Sequence, residues 1–314
     1  MSVQLFRFAL LVAVGMGAMS ASPGKAIAQG NAAPNTAKID AYVACINRLS
    51  ERSHDSRRRY FSWVGKQGPT GKERIIYGLY TIYDTKDCKN GVEKANALEP
   101  RDEALEAAAN AYVLAVTTLE PLLQEADDYY SQENYKDDRM AKGKALHPQL
   151  VAAWRAFASA DETLRLAVDV IQEKHSERRI AHLAASEGKS ANYYAETLML
   201  TAKRLLRHLN VAEPSMKMIG PSLANYEEQV KGAEAYLKEN KQPRFGLFFM
   251  NTAKKYLESS KKLMRRVRDK VPYSTGDQML LRSGGGAWMV EGSPARVLRD
   301  YNEFVQSYNR GYRF

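Results

Sequence analysis

Residues 105–130 read LEAAANAYVLAVTTLEPLLQEADDYY and contain one long stripe of apolar side chains. The members of the stripe alternate at spacings of three and four residues: Leu105, Ala109, Tyr112, Val116, Leu119, Leu123, Ala126 and Tyr130. This is the period of a helix with one buried face, so the stretch predicts an amphipathic α-helix about 40 Å long. Pro121 lacks the backbone N–H of a helical residue and predicts a kink or a restart near Thr117.

The same period recurs in six further segments on both sides of this stretch. Their apolar stripes begin at Ile39, Leu150, Tyr194, Leu223, Phe249 and Leu298. The sequence therefore predicts an all-α protein, a bundle of about seven amphipathic helices, several of them long, with irregular connecting loops. Residues 75–83 are rich in β-branched and aromatic side chains, but a single strand would leave its backbone unpaired, so we interpret them as helical.

Prolines also predict where two helices start. Pro148 suits the first position of the helix that follows His147. Ser293 as a cap and Pro294 in the first turn predict the start of the last helix. The longest irregular connection is predicted at residues 272–292, which contain three consecutive glycines.

The first 28 residues have the pattern of a secretory signal peptide. Arg7 precedes the apolar run from Phe8 to Met19, and Ala26-Ile27-Ala28 supplies small residues for cleavage. Ala18-Met19-Ser20 is a competing cleavage site. The run is too short for a stable membrane anchor. We therefore expect an exported, periplasmic protein with no transmembrane segment in the mature chain.

Positive charge is concentrated in the C-terminal third of the chain. Residues 201–314 contain 21 Lys and Arg against 11 Asp and Glu, a local excess of +10. Because an exported protein rarely meets nucleic acid, an anionic envelope surface or an envelope protein is the available partner, and a merely well-solvated surface is the alternative that the composition favours. Residues 254–270 predict a basic amphipathic helix that either engages such a surface or packs in the bundle with its cations outside.

The two cysteines, Cys45 and Cys88, are predicted to form one disulfide. Export places them in a compartment that oxidises thiols, and an even count of two leaves one intramolecular pairing. Two free thiols would need a reducing environment or a metal, and the sequence places no third soft ligand near either of them.

The densest polar cluster overlaps the end of the quoted stretch. The candidate site residues are Asp127, Asp128, Tyr130, Asp137, Asp138 and His147. Their oxygens suit a calcium ion or a polar ligand, but the spacing and glycine of an EF-hand are missing. We predict a structural polar network that joins two helices, with carboxylates bonded to tyrosines. A solvated helix end with local ion pairs is the alternative.

Other motifs supply neither a catalytic group nor a cofactor site. Residues 65–73 resemble a phosphate-binding loop, but five residues separate Gly65 from Gly71 and Glu73 follows the lysine. The five histidines lack the spacing of a metal site. The leading hypothesis is a non-catalytic binding or interaction module without a cofactor. The alternative is a metal-dependent or other hydrolase whose site is assembled between helices.

Short stretches distributed along the chain match one family pattern. They are AYVACIN at 41–47, SWV at 62–64, GPTG at 68–71, IYGLY at 76–80, DYY at 128–130, YKDD at 135–138, GKALHP at 143–148, EGSP at 291–294 and YN at 301–302. On these residues the chain resembles the YiiG-like exported bacterial proteins of unknown function. Some members look like lipoproteins, whereas this sequence lacks the lipobox cysteine. The resemblance implies a helical envelope protein and supplies no catalytic residue.

The resemblance and the composition together predict three parts of the chain. Residues 1–28 are the signal peptide, and residues 29–37 are a disordered N-terminal segment. Residues 38–312 are one YiiG-like helical domain.

Overall fold

The computed structural model describes residues 36–211, 213–241, 245–283 and 285–311. The predicted signal peptide and nearly all of the predicted disordered segment lie outside the described residues. The chain forms two compact units, an N-terminal unit that ends at Gln172 and a C-terminal unit that begins at Glu173. This boundary lies inside the range predicted to be one helical domain.

Nine α-helices occur in the described residues. They are α1 Thr36–Phe61, α2 Thr85–Asn96, α3 Glu103–Ser131, α4 Ala141–Ser186, α5 Ala191–Leu209, α6 Met216–Glu239, α7 Met250–Asp269, α8 Thr275–Arg282 and α9 Pro294–Gly311. The described residues contain no β-strand, so the all-α prediction is confirmed. The seven predicted stripes lie in α1, α3, α4, α5, α6, α7 and α9, whereas α2 and α8 were not predicted. None of the described helices is long and apolar enough to cross a membrane.

The stripe of α3 forms the centre of the N-terminal unit. All eight of its predicted members are buried, and Tyr112, Val116, Leu119 and Leu123 are completely enclosed. They belong to one apolar cluster with the buried faces of α1, α2 and α4. The helix begins where the Asp102 carboxylate accepts a hydrogen bond from the backbone N–H of Leu105.

Of the three proline-based predictions, that for Pro294 is confirmed, that for Pro148 is wrong, and for Pro121 the predicted restart does not occur. α3 continues through Pro121 without a restart, because its stripe is buried both before and after the proline. α4 begins at Ala141, upstream of Pro148, because Asp138 accepts from the first backbone N–H groups and starts the helix there. α9 begins at Pro294, and Ser293 Oγ accepts from the backbone N–H of Arg296 at 3.1 Å.

The segment between α1 and α2 is neither helix nor strand over residues 75–84, so the helical interpretation is wrong. Side chains of α1 and the turn after it satisfy carbonyls of this extended backbone. Arg59 Nε donates to the carbonyl of Tyr77 at 2.8 Å, and Trp63 Nε1 donates to that of Gly78 at 2.8 Å. Carbonyls of an isolated segment thereby find donors without a neighbouring strand.

A buried ion pair joins the start of α1 to the start of α3. Lys38 Nζ lies 2.6 Å from Glu106 Oε1, and Lys38 has no exposed surface. Arg101 Nε also donates to both carboxylate oxygens of Glu106 at 3.0 Å. The Arg101 hydrogen bond, followed by that of Lys38, lowers the pKa of Glu106 from its ordinary value of 4.5 to about 2.

This shift predicts a loss of stability in acid. Because the pKa of Glu106 is lower in the folded chain, its contribution is complete above pH 4.5 and is lost as the pH falls towards 2. The melting temperature of Glu106→Gln should therefore be lower at neutral pH and should fall less between pH 4.5 and 2. The exposed Glu103→Gln, in the same helical turn, is the control and should follow the parent curve. Parallel curves for all three proteins would contradict the assignment.

The C-terminal unit packs α5, α6, α7 and α9 together. Two enclosed tyrosines bond across helices, since Tyr226 Oη donates to the carbonyl of Ala253 at 3.0 Å and Tyr256 Oη donates to that of Ala202 at 3.1 Å. Burial raises the pKa of both phenols well above the ordinary value. These bonds allow two large polar side chains to fill the centre of the unit.

Candidate functional site

The six predicted site residues all lie in the N-terminal unit. Asp127, Asp128 and Tyr130 end α3, Asp137 and Asp138 lie in the turn that follows, and His147 lies in the second turn of α4. The structure places them in environments that differ in burial and in hydrogen-bond partners.

Asp138 joins the end of α3 to the start of α4. Its Oδ1 accepts from Tyr129 Oη at 2.7 Å, and its Oδ2 accepts from the backbone N–H of Lys142 at 2.8 Å. The backbone bond from Lys142 is the largest of the favourable contacts that lower the pKa of Asp138. The carboxylate is therefore both a helix cap and the partner of a buried tyrosine.

The remaining acidic residues do not converge with Asp138. Asp127 is half-buried, and burial followed by the charge of Asp128 raises its pKa. Asp128 and Asp137 are exposed. Within the part of the chain that the structure describes, no group of three His, Cys, Asp or Glu residues could hold a metal ion.

These environments predict unequal effects of two substitutions. Asp138→Ala removes the cap of α4 and leaves the Tyr129 hydroxyl without its acceptor, so the melting temperature should fall by about 4 °C. Asp128→Ala is the matched control on an exposed carboxylate and should change it by less than about 1 °C. Thermal unfolding with and without calcium measures both effects. Equal losses, or a calcium-dependent rise that Asp128→Ala abolishes, would contradict this assignment.

An aromatic cluster surrounds the buried Tyr60 at the end of α1. The rings of Tyr130, His147 and Trp154 lie 6.4, 5.8 and 5.3 Å from that of Tyr60, between centroids. A hydrogen bond joins Tyr60 Oη to His147 Nδ1 at 3.0 Å. Burial raises the pKa of Tyr60 to about 12 and lowers that of His147. At neutral pH the pair is therefore a protonated phenol bonded to an uncharged imidazole.

Two polar groups of this cluster have no hydrogen-bond partner among the described residues. They are Tyr130 Oη and Trp154 Nε1, on side chains that are 4% and 1% exposed. Burial, followed by the Tyr60 hydroxyl, raises the pKa of Tyr130 above its ordinary value. Asp138 with Tyr129 and His147 with Tyr60 form the hydrogen-bonded pairs of this region, and the Tyr130 ring packs beside Tyr60.

A glycine turn covers His147. Gly68 has φ +98°, and a Cβ at this position would lie 3.1 Å from the His147 ring. The turn is closed by Glu73, whose carboxylate accepts from the backbone N–H of Gly71 at 2.8 Å. The segment that resembled a phosphate-binding loop is therefore a cover over the aromatic cluster.

The exposed side of the segment between α1 and α2 forms a surface of tyrosines and arginines. We define the Arg–Tyr surface by its residues: Arg52, Arg59, Ile75, Tyr77, Tyr80 and Tyr83. The guanidinium carbons of Arg52 and Arg59 lie 4.1 and 4.6 Å from the centroid of the Tyr80 ring. Arg59 also donates to Tyr80 Oη at 3.0 Å. Two cations therefore fix one aromatic ring through stacking and hydrogen bonding.

Large apolar parts of this surface face solvent. Ile75, Tyr77 and Tyr83 are 50%, 48% and 61% exposed, whereas Leu79 and Ile82 of the same segment are buried. The buried pair anchors the segment to the core, and Tyr83 Oη accepts from Thr81 Oγ1 at 2.6 Å. The arrangement presents ordered aromatic and cationic groups, which are the residue types enriched at protein interfaces.

A second polar cluster, unforeseen in the sequence, lies inside the unit. Asp161 accepts from Ser50 Oγ at 2.6 Å and from Arg165 Nε at 2.9 Å, and its other oxygen lies 3.1 Å from His54 Nε2. Ser50, His54 and Asp161 are all buried. The carboxylate lies between the hydroxyl and the imidazole, an order different from the hydroxyl–imidazole–carboxylate chain of serine hydrolases.

Comparison with known proteins identifies the family. Over residues 33–310 the chain matches the family described as protein of unknown function, DUF3829. The chain belongs to this family. It is 36% identical over 280 residues to the uncharacterized protein YiiG of Escherichia coli strain K12, which covers 87% of this chain and 78% of that protein. No solved structure matches it. The resemblance seen in the sequence is therefore confirmed.

The DUF3829 match spans both compact units, and the residues of the Arg–Tyr surface and of the aromatic cluster lie within the matched range. Sequence reasoning missed this surface, although two signals for it are present. Arg52 and Arg59 lie seven residues apart and share a face of α1. Tyr77, Tyr80 and Tyr83 recur at every third residue of a segment that lacks a helical apolar stripe.

Proposed function

We propose that this DUF3829 protein is an exported, non-catalytic binding module of the bacterial envelope, and that the Arg–Tyr surface takes an envelope protein as its partner. The observation that carries the proposal is the exposure of Ile75, Tyr77 and Tyr83 on a segment that is already held in place. Tyrosine and arginine dominate the residues that contribute most to protein–protein binding.

The fixed backbone of the segment supports this function. Arg52 Nε donates to the carbonyl of Thr81 at 3.2 Å. Arg59 and Trp63 donate to two other carbonyls of the same segment. Because the segment is already ordered, binding costs it little conformational entropy. More of the free energy gained by burying its aromatic side chains therefore appears as affinity. The arginines also retain donors and charge for acidic groups of the partner.

Two features support export. Residues 1–28 combine a basic residue, an apolar run and small residues before a cleavage site. The Cys45–Cys88 disulfide persists in compartments that oxidise thiols. Fusion of residues 1–40 to an alkaline phosphatase reporter, active only outside the cytoplasm, tests the proposal. An inactive fusion would refute export and leave the binding surface to be tested separately.

Photo-crosslinking in cells that naturally express the protein tests the surface. A photoreactive phenylalanine analogue replaces Tyr83 in one variant and Leu166 of α4 in the control, side chains that are 61% and 60% exposed. We expect a discrete protein adduct from position 83 and none from position 166. The adduct should weaken in an Arg59→Lys background, because lysine loses the planar fork that bonds Tyr77 and Tyr80.

Two results would refute the proposed surface. One is the same adduct pattern from both positions, which would indicate random collisions. The other is an adduct from position 83 that Arg59→Lys leaves unchanged, since the ordered arrangement would then be irrelevant to binding.

A further inference from the structure

α8 is an exposed helix of the C-terminal unit, and none of its residues is buried. Together with Val271 and the 3₁₀ helix Ala287–Met289 it forms what we call the apolar tip. Four large apolar side chains of the tip face solvent: Val271 at 50%, Met279 at 65%, Trp288 at 39% and Met289 at 47% exposure. Exposed apolar side chains concentrated in one short segment indicate a surface for interaction with a protein, a membrane or a ligand.

The tip is an ordered structure. Ser274 and Asp277 form a capping box in which each side chain accepts from the backbone N–H of the other. A Cβ at Gly286 would lie 2.9 Å from Leu280 and 3.2 Å from Met289, so the turn packs closely against these side chains. The guanidinium of Arg299 stacks 3.5 Å from the centroid of the Trp288 ring. These contacts order α8 and the 3₁₀ helix before any partner binds, so binding need not order them.

The charges around the tip are predominantly positive. Residues 261–299 contain nine Lys and Arg against three Asp and Glu. Arg265, Lys270 and Arg282 are exposed, and none of them forms an ion pair with another described residue. Lys270 directly precedes Val271, and Arg282 ends α8. The tip therefore combines apolar side chains with unneutralised cations.

The basic helix predicted over residues 254–270 differs from the tip in this respect. Lys254 lies 2.7 Å from Glu234, and Lys261 lies 2.8 Å from Glu227. Lys255 pairs with Glu303 at 2.5 Å. Most charges of α7 are thus compensated within its own unit, whereas Arg265 and Lys270 near its end are not paired with any described residue.

We propose that the apolar tip docks the protein on the surface of a lipid bilayer that contains anionic headgroups. Such a surface has one sign of charge above an apolar interior, which matches cations placed beside exposed methionines and a tryptophan. Trp288 suits the headgroup level, where an aromatic ring meets both water and hydrocarbon. This contact uses the C-terminal unit and is independent of the Arg–Tyr surface.

Vesicle co-sedimentation of the chain from residue 29 onward tests the proposal. The probes are phosphatidylglycerol-containing vesicles and pure phosphatidylcholine vesicles. We expect binding to the former that weakens with salt, since exposed charges are screened within about 10 Å at 0.1 M. Lys270→Asn with Arg282→Gln should reduce it about 25-fold, because each cation near the surface contributes about a fivefold factor. Met279→Ser with Trp288→Ser should reduce it more than about tenfold.

A matched control lies at the start of α6. Lys217 and Met218 are exposed, the latter at 48%, and Lys217→Asn with Met218→Ser should bind vesicles as the parent does. Because α8 buries no side chain, Arg282→Gln and Met279→Ser should leave the melting temperature unchanged. Trp288→Ser removes the ring that Arg299 stacks on, so this variant is compared at a temperature at which circular dichroism shows it folded. Trp288 emission should shift to shorter wavelength on binding, and Trp288→Phe should lose the shift while it retains most of the binding.

Several outcomes would overturn the proposal. Equal binding to both kinds of vesicle would remove the role of the cations. Parent-like binding by the Met279→Ser, Trp288→Ser variant would remove the role of the apolar side chains. Self-association that these substitutions abolish, without vesicle binding, would assign the tip to a second copy of the chain.

Discussion

Replacing Cys45 and Cys88 by alanine should lower the free energy of unfolding of the N-terminal unit by about 4 kcal/mol. The predicted disulfide is present, joins α1 to α2, and closes a loop with a sequence separation of 43. On the chain-entropy account, a loop of this length restricts the unfolded chain by about 4 kcal/mol. Both cysteines are 4% exposed, so alanine leaves only a small cavity in place of the sulfurs.

The measurement can be confined to the N-terminal unit. The chain has three tryptophans, and a Trp288→Phe background leaves Trp63 and Trp154, which both belong to that unit. Urea unfolding followed by their fluorescence then gives the free energy without the C-terminal transition. A reductant should destabilise the parent and leave the alanine variant unchanged. Thiol titration of the unreduced, denatured parent should give nearly zero, and two reactive thiols or a loss below about 1 kcal/mol would contradict the prediction.

The parts of the fold that could be predicted are those whose signal is local. Each member of the α3 stripe lies three or four residues from the next, and burial of one face explains all of them at once. The disulfide could also be predicted from sequence, because two cysteines leave a single pairing. Ser293 and Pro294 could predict the start of α9 by themselves, since a cap and a proline act within one helical turn.

The unpredicted helices lack an apolar stripe that can be recognised from sequence. The buried face of α2 is Thr85, Cys88, Val92 and Ala95, so only two of its four positions are aliphatic. α8 buries nothing, and its capping box is the feature that marks it. α8 begins at its capping box, whereas α2 has no side-chain cap and is held by the disulfide and by its contacts with α1 and α3, which periodicity does not reveal.

The candidate site was predicted in part, for a related reason. Asp138 and Tyr129 are close in sequence, so a network at this turn could be foreseen. The extended segment and the Arg–Tyr surface depend on Arg52 and Arg59, which reach from α1 to carbonyls far along the chain. Local propensity could not choose between helix and strand there, because side-chain donors of a distant helix provide the pairing that a strand would normally find in a sheet.

Asp161→Ala should lower the free energy of unfolding of the N-terminal unit by about 3 to 5 kcal/mol, the range for removal of one partner of a buried charged pair. The carboxylate is 4% exposed and accepts from Ser50, which is 111 residues away in sequence. Its contact with His54 spans 107 residues. Removing the carboxylate leaves the buried imidazole of His54 without this acceptor and takes one acceptor from Arg165, whereas Ser50 keeps its bond to Tyr112 at 2.8 Å.

Two further variants separate loss of the acceptor from loss of volume or of helix stability. Glu162→Ala changes the exposed neighbour on α4 and should cost less than about 0.5 kcal/mol. Asp161→Asn keeps an acceptor oxygen and the shape of the side chain, so its loss should lie between the two. The order Ala, Asn, Glu162→Ala follows only if the carboxylate holds α1 against α4 through its hydrogen bonds. If Asp161→Asn were as stable as the parent, the charge would contribute nothing, and if Asp161→Ala matched Glu162→Ala, the buried network would not hold these helices together.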